Sequence, residues 1–226
     1  MTVGGWERLL TSDNLGFLAF GLSTTLKLAI LSMLFSFGVG ILVGTYRTWV
    51  HGIMDWPALA YVELFRNTPL LILIFFMRFG PPIIGVHLSS FVAGTIALTV
   101  YTGAYIAETV RAGIQSVPRG QWEAAMATGL SKLQSYRLIV LPQALRIMTP
   151  ALLGQFVVLI KGTSLVSVIG VLELTRAGDI LFVQYANPME TFALIGITYF
   201  VVNFALTSAV RRLESMRPGL SAGQLD

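Results

Sequence analysis

Two acid–base pairs stand at helical spacing within the long apolar blocks of this chain: Glu63 with Arg66, and Glu108 with Arg111, each three residues apart. Facing carboxylates could pass a proton between an acid and a base, and a serine or threonine beside a histidine could act as a nucleophile. The residues stop short of either chemistry. Each carboxylate is followed by an arginine, so a structural ion pair is the role that this spacing supports. The hydroxyl-rich run Lys161, Thr163, Ser164, Ser167 has no histidine within helical reach. His51 and His87 are isolated, with no second metal-ligating group at helical spacing, and read as surface residues. The chain contains no G-x4-GK-[ST] phosphate loop, no HExxH pair and no GxSxG elbow. It also has no cysteine, hence no thiol chemistry or zinc–thiolate site. Neither ATP hydrolysis nor peptide or ester cleavage is supported, and the expectation is a chain that is not an enzyme.

The elements that position these groups are long apolar blocks. The 226 residues are 55% hydrophobic and 12% charged, with a mean hydropathy of +0.76. That composition belongs in a bilayer. The blocks predict an all-α integral membrane protein, a single transmembrane domain over 1–226. Five spans are expected, at about 15–46, 58–79, 89–111, 143–169 and 189–210. The opening MTVGGWERLL lacks the pattern of a removable signal peptide, so the first span is expected to direct insertion. That first block exceeds the length a span needs, so part of it should tilt or lie along the surface, with Lys27 at its outer end. Ser32, Ser36, Gly40, Gly44 and Thr48 recur at every fourth residue, and Thr95, Thr99, Gly103 and Ala107 form a second such ladder. Small side chains in register let another backbone approach closely. Pro69 predicts a kink in the second span and Pro150 one in the fourth, while Pro81 and Pro82 stiffen a turn. Val171–Pro188 is expected to be a loop holding a short helix, and PGLSAGQLD a loose tail.

Between the third and fourth blocks lies a polar stretch, about 118–142, containing GQWEAAMATGLSKLQSYRLIVLP. Gln121 to Leu130 is rich in strong helix formers, and Gly129 sits where a short helix needs a left-handed residue to end. Ser131 can cap a second short helix whose apolar side would be Leu133, Tyr136, Leu138 and Ile139. Two short helices joined at a glycine make a compact knob; an interfacial hairpin resting on lipid has the same local form.

The spacing of Glu123, Ala124, Ala125, Gly129, Ile139, Leu141 and Pro142, EAA-x3-G-x9-I-x-LP, resembles the cytoplasmic coupling loop of permease subunits in bacterial ABC importers. ELFRNTPLLIL around Arg66 and GAYIAETVRAGIQSVPRGQWEAA resemble the polar amino-acid branch of that family, of the histidine, glutamine and glutamate type. The resemblance covers nearly the whole chain, with one departure: the family often has an acidic residue in K-x-TSL, where Gly162 stands here.

The resemblance implies a bacterial inner-membrane permease that pairs with a second, identical or related permease. It implies docking of two ATP-binding subunits, which use ATP and magnesium, and delivery of substrate by an extracytoplasmic binding protein. No cofactor is expected in this chain itself; membrane lipid is its surroundings and nucleic acid is not a partner. An ion-coupled secondary transporter or a channel is the alternative class, although the spans show no internal repeat or filter loop. Arg66, Gln155, Lys161, Thr163 and Ser164 are the candidate lining of the substrate pathway. Lys161 would either attract a substrate carboxylate there or snorkel to the outer interface. With no acid in the middle of a span, an acidic or neutral polar amino acid is favoured over a cationic one. Arg47, Arg111, Arg119, Lys132, Arg137, Arg146, Arg211, Arg212 and Arg217 fall on one side of the spans. Arg8, Arg78 and Arg176 fall on the other, which predicts an outer N-terminus and a cytoplasmic C-terminus.

Overall fold

A computed structural model describes residues 4–50 and 52–215, with side chains described through Arg212. His51, Arg217 and the expected tail 218–226 lie outside the described residues. Every regular element among the described residues is helical. In chain order they are α1 (Gly4–Leu9), α2 (Ser12–Trp49), α3 (Trp56–Asn67), α4 (Leu70–Phe79), α5 (Ser90–Gln115), α6 (Arg119–Ala127), α7 (Lys132–Ser135), α8 (Leu141–Gly162), α9 (Leu174–Tyr185) and α10 (Pro188–Ser215).

The first apolar block is one unbroken helix of 38 residues rather than a span plus a surface segment. At 1.5 Å per residue it is about 57 Å long, nearly twice a bilayer core of about 30 Å. Its length serves two separate cores. Leu18, near its start, packs with Leu9, Leu174, Ala177, Leu181 and Ile195, while Leu28 and Met33 belong to the main core with Ile74, Leu98, Ile106 and Met148. Lys27 is exposed between the two.

The two ladders of small residues meet each other. Ser32 donates to the Thr95 carbonyl at 3.4 Å and Ser36 to the Thr99 carbonyl at 3.1 Å. Farther along, a β-carbon on Gly40 would collide with Ile106, and one on Gly44 with the Ala107 carbonyl. Both helices therefore advance in the same direction along this contact. The chain between them must return to the starting side, and it does so through a broken pair.

That pair is α3 and α4, which with their flanking turns bend by 108°. The kink expected at Pro69 is thus a full break. Proline excludes the α conformation from the residue before it, and Thr68 is extended (φ −100°, ψ 132°). The freed carbonyls of α3 find side chains: Asn67 Nδ2 donates to Glu63 O at 2.8 Å, Thr68 Oγ1 to Leu64 O at 2.7 Å, and Tyr105 OH to Arg66 O at 3.2 Å. In α8, by contrast, the helix runs through Pro150 and then tightens into a 3-10 segment, Thr163–Ile169, ending at Gly170 (φ 84°).

The short helix expected in Val171–Pro188 is α9, and Glu173 starts it. Its carboxylate accepts from the Arg176 backbone at 2.8 Å, from Thr25 of α2 at 3.3 Å and from Tyr199 of α10 at 2.9 Å. Glu173 has no exposed surface. One acid thereby joins three helices at the end of the molecule away from the polar stretch.

Candidate functional site

The polar stretch folds as a knob of two short helices. α6 begins at Arg119, two residues ahead of the expected start, and ends when Gly129 takes φ +89°. Ser131 then caps α7: its Oγ accepts from Gln134 N at 3.3 Å, while Gln134 Oε1 accepts from Ser131 N at 2.8 Å. This reciprocal pair satisfies two backbone donors that a free helix start leaves open. Glu123 and Ala124 are exposed on α6, Ala125 is buried beneath them, and Leu141 and Pro142 open α8, half-buried and exposed respectively.

The apolar side of the second helix differs from expectation. Tyr136 is buried and Ile139 half-buried, but Leu133 and Leu138 are 52% and 61% exposed. The cause is a π turn over Tyr136–Val140. Its extra residue per turn directs Tyr136 and Val140, together with Ser135, toward the core and leaves Leu138 facing out. Met126 on α6 and Leu133 on α7 are exposed too, and with Leu138 they sit on the same knob as Glu123.

The knob is fastened to the end of α2 by aromatic rings. Trp49 meets Tyr136 edge-on at 5.2 Å between ring centres and Trp122 at 6.4 Å, while Trp122 and Tyr136 stack at 6.3 Å. Lys132 Nζ lies 5.2 Å over the Trp49 ring. None of these rings belongs to the spacing pattern that singled out the knob. Three aromatics in and beside an otherwise polar stretch were the available signal.

Beside the rings lies a charge cluster. Arg47 Nη1 is 3.0 Å from Glu108 Oε2 and Arg47 Nε is 3.5 Å from Asp55 Oδ1. Arg111 pairs with Glu108 as its spacing predicts. Glu63 and Arg66 do not pair. Glu63 instead accepts from Asn67 Nδ2 at 3.0 Å, and the Arg66 guanidinium lies 5.4 Å from the centre of the Tyr105 ring. Arg66 Nε is buried without a hydrogen-bond partner. The break at Thr68 accounts for this, because it ends α3 at Asn67 and brings α5 against its last turn.

The other candidate pathway residues lie toward the end of α8. Lys161 is exposed on a stripe with Ala151, Gly154, Val158, Leu165 and Val168; Gln155 is half-buried beside it. Thr163 is buried and donates to Ile160 O at 2.7 Å, and Ser164 donates to Lys161 O at 2.7 Å, so both hydroxyls bond to their own helix. A β-carbon on Gly162 would stand 3.2 Å from Leu70. The start of α4, just past the break, therefore abuts the Lys161–Gly162 end of α8.

Long apolar helices, a broken pair between parallel helices and a two-helix knob define a helical protein built to cross a membrane, with a polar knob at one end of the bundle. Residues 36–216 match the family described as the inner membrane component of binding-protein-dependent transport systems, and the chain belongs to that family. Among curated relatives, the probable glutamine ABC transporter permease proteins GlnP and GlnM of Bacillus subtilis (strain 168) are 40% and 38% identical. Those alignments cover 90% and 89% of this chain and 95% and 94% of the relatives. The glutamine transport system permease protein GlnP of Escherichia coli (strain K12) is 34% identical over 86% of this chain and 90% of its own. A crystal structure of an amino acid ABC transporter with histidines matches with a TM-score of 0.88 at 32% identity, covering 96% of this chain and all of that one. The inward-facing MetNI methionine ABC transporter matches with a TM-score of 0.72 at 26% identity, over 90% of this chain and 99% of that one. The chain is thus a multi-pass, inner-membrane permease subunit of an amino-acid ABC importer, and ATP hydrolysis resides in a separate subunit.

Proposed function

We propose that this permease carries a polar amino acid, neutral or acidic, with glutamine the first candidate, delivered by an extracytoplasmic binding protein. The observation that carries the reading is the agreement between glutamine-type relatives and the α8 stripe. There a lysine is exposed with no carboxylate on the same stripe, and the neighbouring Gly162 stands where the family often has an acidic residue. Lys161 supplies a positive charge for an α-carboxylate, and Arg66, whose Nε has no hydrogen-bond partner, stands at the break whose far side, Leu70, adjoins Gly162. The permease works as a pair with an identical or related copy. Two ATPase subunits, using ATP and magnesium, dock on the knob through Glu123, Ala124 and the exposed Met126, Leu133 and Leu138; Gly129 sets the bend, and Ala125, Leu141 and Pro142 seat the knob on the bundle.

Charge and topology support an orientation. The excess of basic residues at the knob end favours the cytoplasmic side for it. The parallel course of α2 and α5 supports a fifth crossing made by the broken pair. A cysteine at Ser131 should be protected from an impermeant reagent added outside, and one at His87, which is exposed in the α4–α5 turn, should react. The reverse pattern refutes the orientation.

The decisive experiment is uptake by proteoliposomes holding the permease, its ATPase and its binding protein, with labelled glutamine, glutamate and arginine. ATP-dependent accumulation of glutamine or glutamate, reduced at least fivefold by Lys161→Ala, is expected. Accumulation of arginine alone, or uptake independent of ATP, overturns the reading.

A further inference from the structure

Within the reading of the chain as an ATP-driven permease, the structure leaves one connection to be identified: how a movement of the knob reaches the spans. Among the described residues, the knob meets the bundle at several places besides its own chain. Gln143 Nε2 reaches Gln121 Oε1 at 3.2 Å, exposed to solvent. Val140 is buried in the main core, and the bracket of Trp49, Trp122 and Tyr136, in which Tyr136 is only 8% exposed, packs both tryptophans against the same core. Edge-on and stacked rings hold their partners in a particular geometry as well as burying area, and a cation over an indole adds a further constraint. Of these ties, the rings are the one that joins the knob to the end of α2, where they can transmit a push or a twist.

The bracket engages α2 in its last turn, and the same turn carries Arg47. Arg47 is 9% exposed and bridges two acids: Glu108 on α5, and Asp55 in the 3-10 turn Gly52–Asp55 that leads straight into α3. A displacement of Trp49 therefore cannot leave Arg47 behind. Through Arg47 it bears on α5 by one carboxylate and on the start of the broken pair by the other. The far end of that pair, Leu70, adjoins Gly162 and the exposed Lys161.

We propose that the Trp49–Trp122–Tyr136 bracket is the mechanical joint of this permease, and that Arg47 divides its motion between α5 and α3. Trp49 is then a positioning residue for transport. It touches neither substrate nor the docking face, and it acts by making the spans follow the knob.

The test uses the assembled complex of permease, ATPase subunits and binding protein in proteoliposomes, with three readouts: basal ATP hydrolysis, hydrolysis stimulated by substrate-loaded binding protein, and amino acid accumulated per ATP. Trp49→Leu keeps apolar bulk at the end of α2 but removes the ring. It should leave assembly and basal hydrolysis within twofold of the parent and lower accumulation per ATP at least fivefold. Trp49→Phe, which restores an aromatic edge, should recover most of that ratio. Asp55→Asn, which weakens only the branch to α3, should lower the same ratio by a smaller factor. An unchanged ratio in Trp49→Leu overturns the proposal. So does loss of the assembled complex in Trp49→Leu, which would make the bracket a scaffold for docking, and so does failure of Trp49→Phe to recover the ratio. A parent complex with no ATP-driven uptake overturns both this proposal and the transport function on which it rests, whereas uptake in the parent with an unaltered variant removes the joint alone.

Discussion

Arg47 and Glu108, 61 residues apart in the chain, meet at 3.0 Å where α2 and α5 end on the knob side. Glu108 also holds Arg111, so one carboxylate stands between two guanidinium groups, none of the three more than about a quarter exposed. Removing it leaves two partly buried cations facing each other, and hydrogen bonds to charged groups are worth about 1.5–3 kcal/mol. Glu108→Gln should destabilise the purified permease by roughly that amount, read as a lower midpoint of thermal unfolding in detergent. Arg111→Gln, which leaves the Arg47–Glu108 bond in place, should cost less. Equal midpoints for Glu108→Gln and the parent would show that the cluster contributes nothing to the fold.

The contact between the two ladders allows a sharper test. Gly44 lies so close to α5 that a β-carbon would strike the Ala107 carbonyl and Val110, whereas Gly38, on the same helix, has nothing within 4 Å. Overpacking a close helix contact typically costs about 1–3 kcal/mol, while glycine to alanine in an open helical position costs nothing and gains propensity. Gly44→Ala should therefore lower thermal stability and Gly38→Ala should hold or raise it. The same response from both would mean that the α2–α5 approach is looser than the structure has it.

What could be read from the chain beforehand was what local rules govern. The ladders announced a close contact because their period matches a helix face, Pro69 announced a kink, though not the full break, because proline restricts its neighbour, and Gly129 and Ser131 announced the knob because helix ends carry specific side chains. The unread features join residues far apart in sequence. Nothing near Arg66 indicates that Tyr105, 39 residues on, will take its guanidinium face, and Glu63, three residues away, looked the better partner. The rings around Trp49 and the buried position of Glu173 are of the same kind. The outward turn of Leu138 escaped for another reason: a π turn breaks the 3.6-residue period on which the apolar side was assigned.

Gly129 permits a prediction free of packing effects. A β-carbon there meets nothing within 4 Å, so any cost of a side chain is conformational, a consequence of φ +89°. Left-handed backbone costs a non-glycine residue about 1–2 kcal/mol. Gly120, at the start of the same helix, is equally open and has an ordinary φ. Gly129→Ala should reduce substrate-stimulated ATP hydrolysis of the assembled complex several-fold while membrane insertion is retained, and Gly120→Ala should not. Full stimulation in Gly129→Ala would show that the bend at the end of α6 is dispensable for coupling.

Glu173 connects fold to pH. Burial pushes its carboxyl above the usual 4.5, and hydrogen bonds from the Thr175 and Arg176 backbones, Tyr199 and Thr25 oppose the shift without cancelling it. The groups facing it are these donors from α2, α9 and α10; the Arg176 guanidinium is directed to Asp179 at 4.0 Å. An acid whose pKa is higher folded than unfolded binds its proton more tightly in the folded state. Its contribution to stability is then fullest below the unfolded value and is lost progressively as pH rises through the folded value. Thermal midpoints of the parent should accordingly fall with rising pH above 4.5, and Glu173→Gln, which cannot ionise, should flatten that slope. Asp179→Asn removes a half-buried carboxylate from the same helix and should leave the slope as it is. Parallel profiles for the parent and Glu173→Gln would mean that this carboxyl keeps one protonation state throughout, and that the pH response of the helices it joins arises elsewhere.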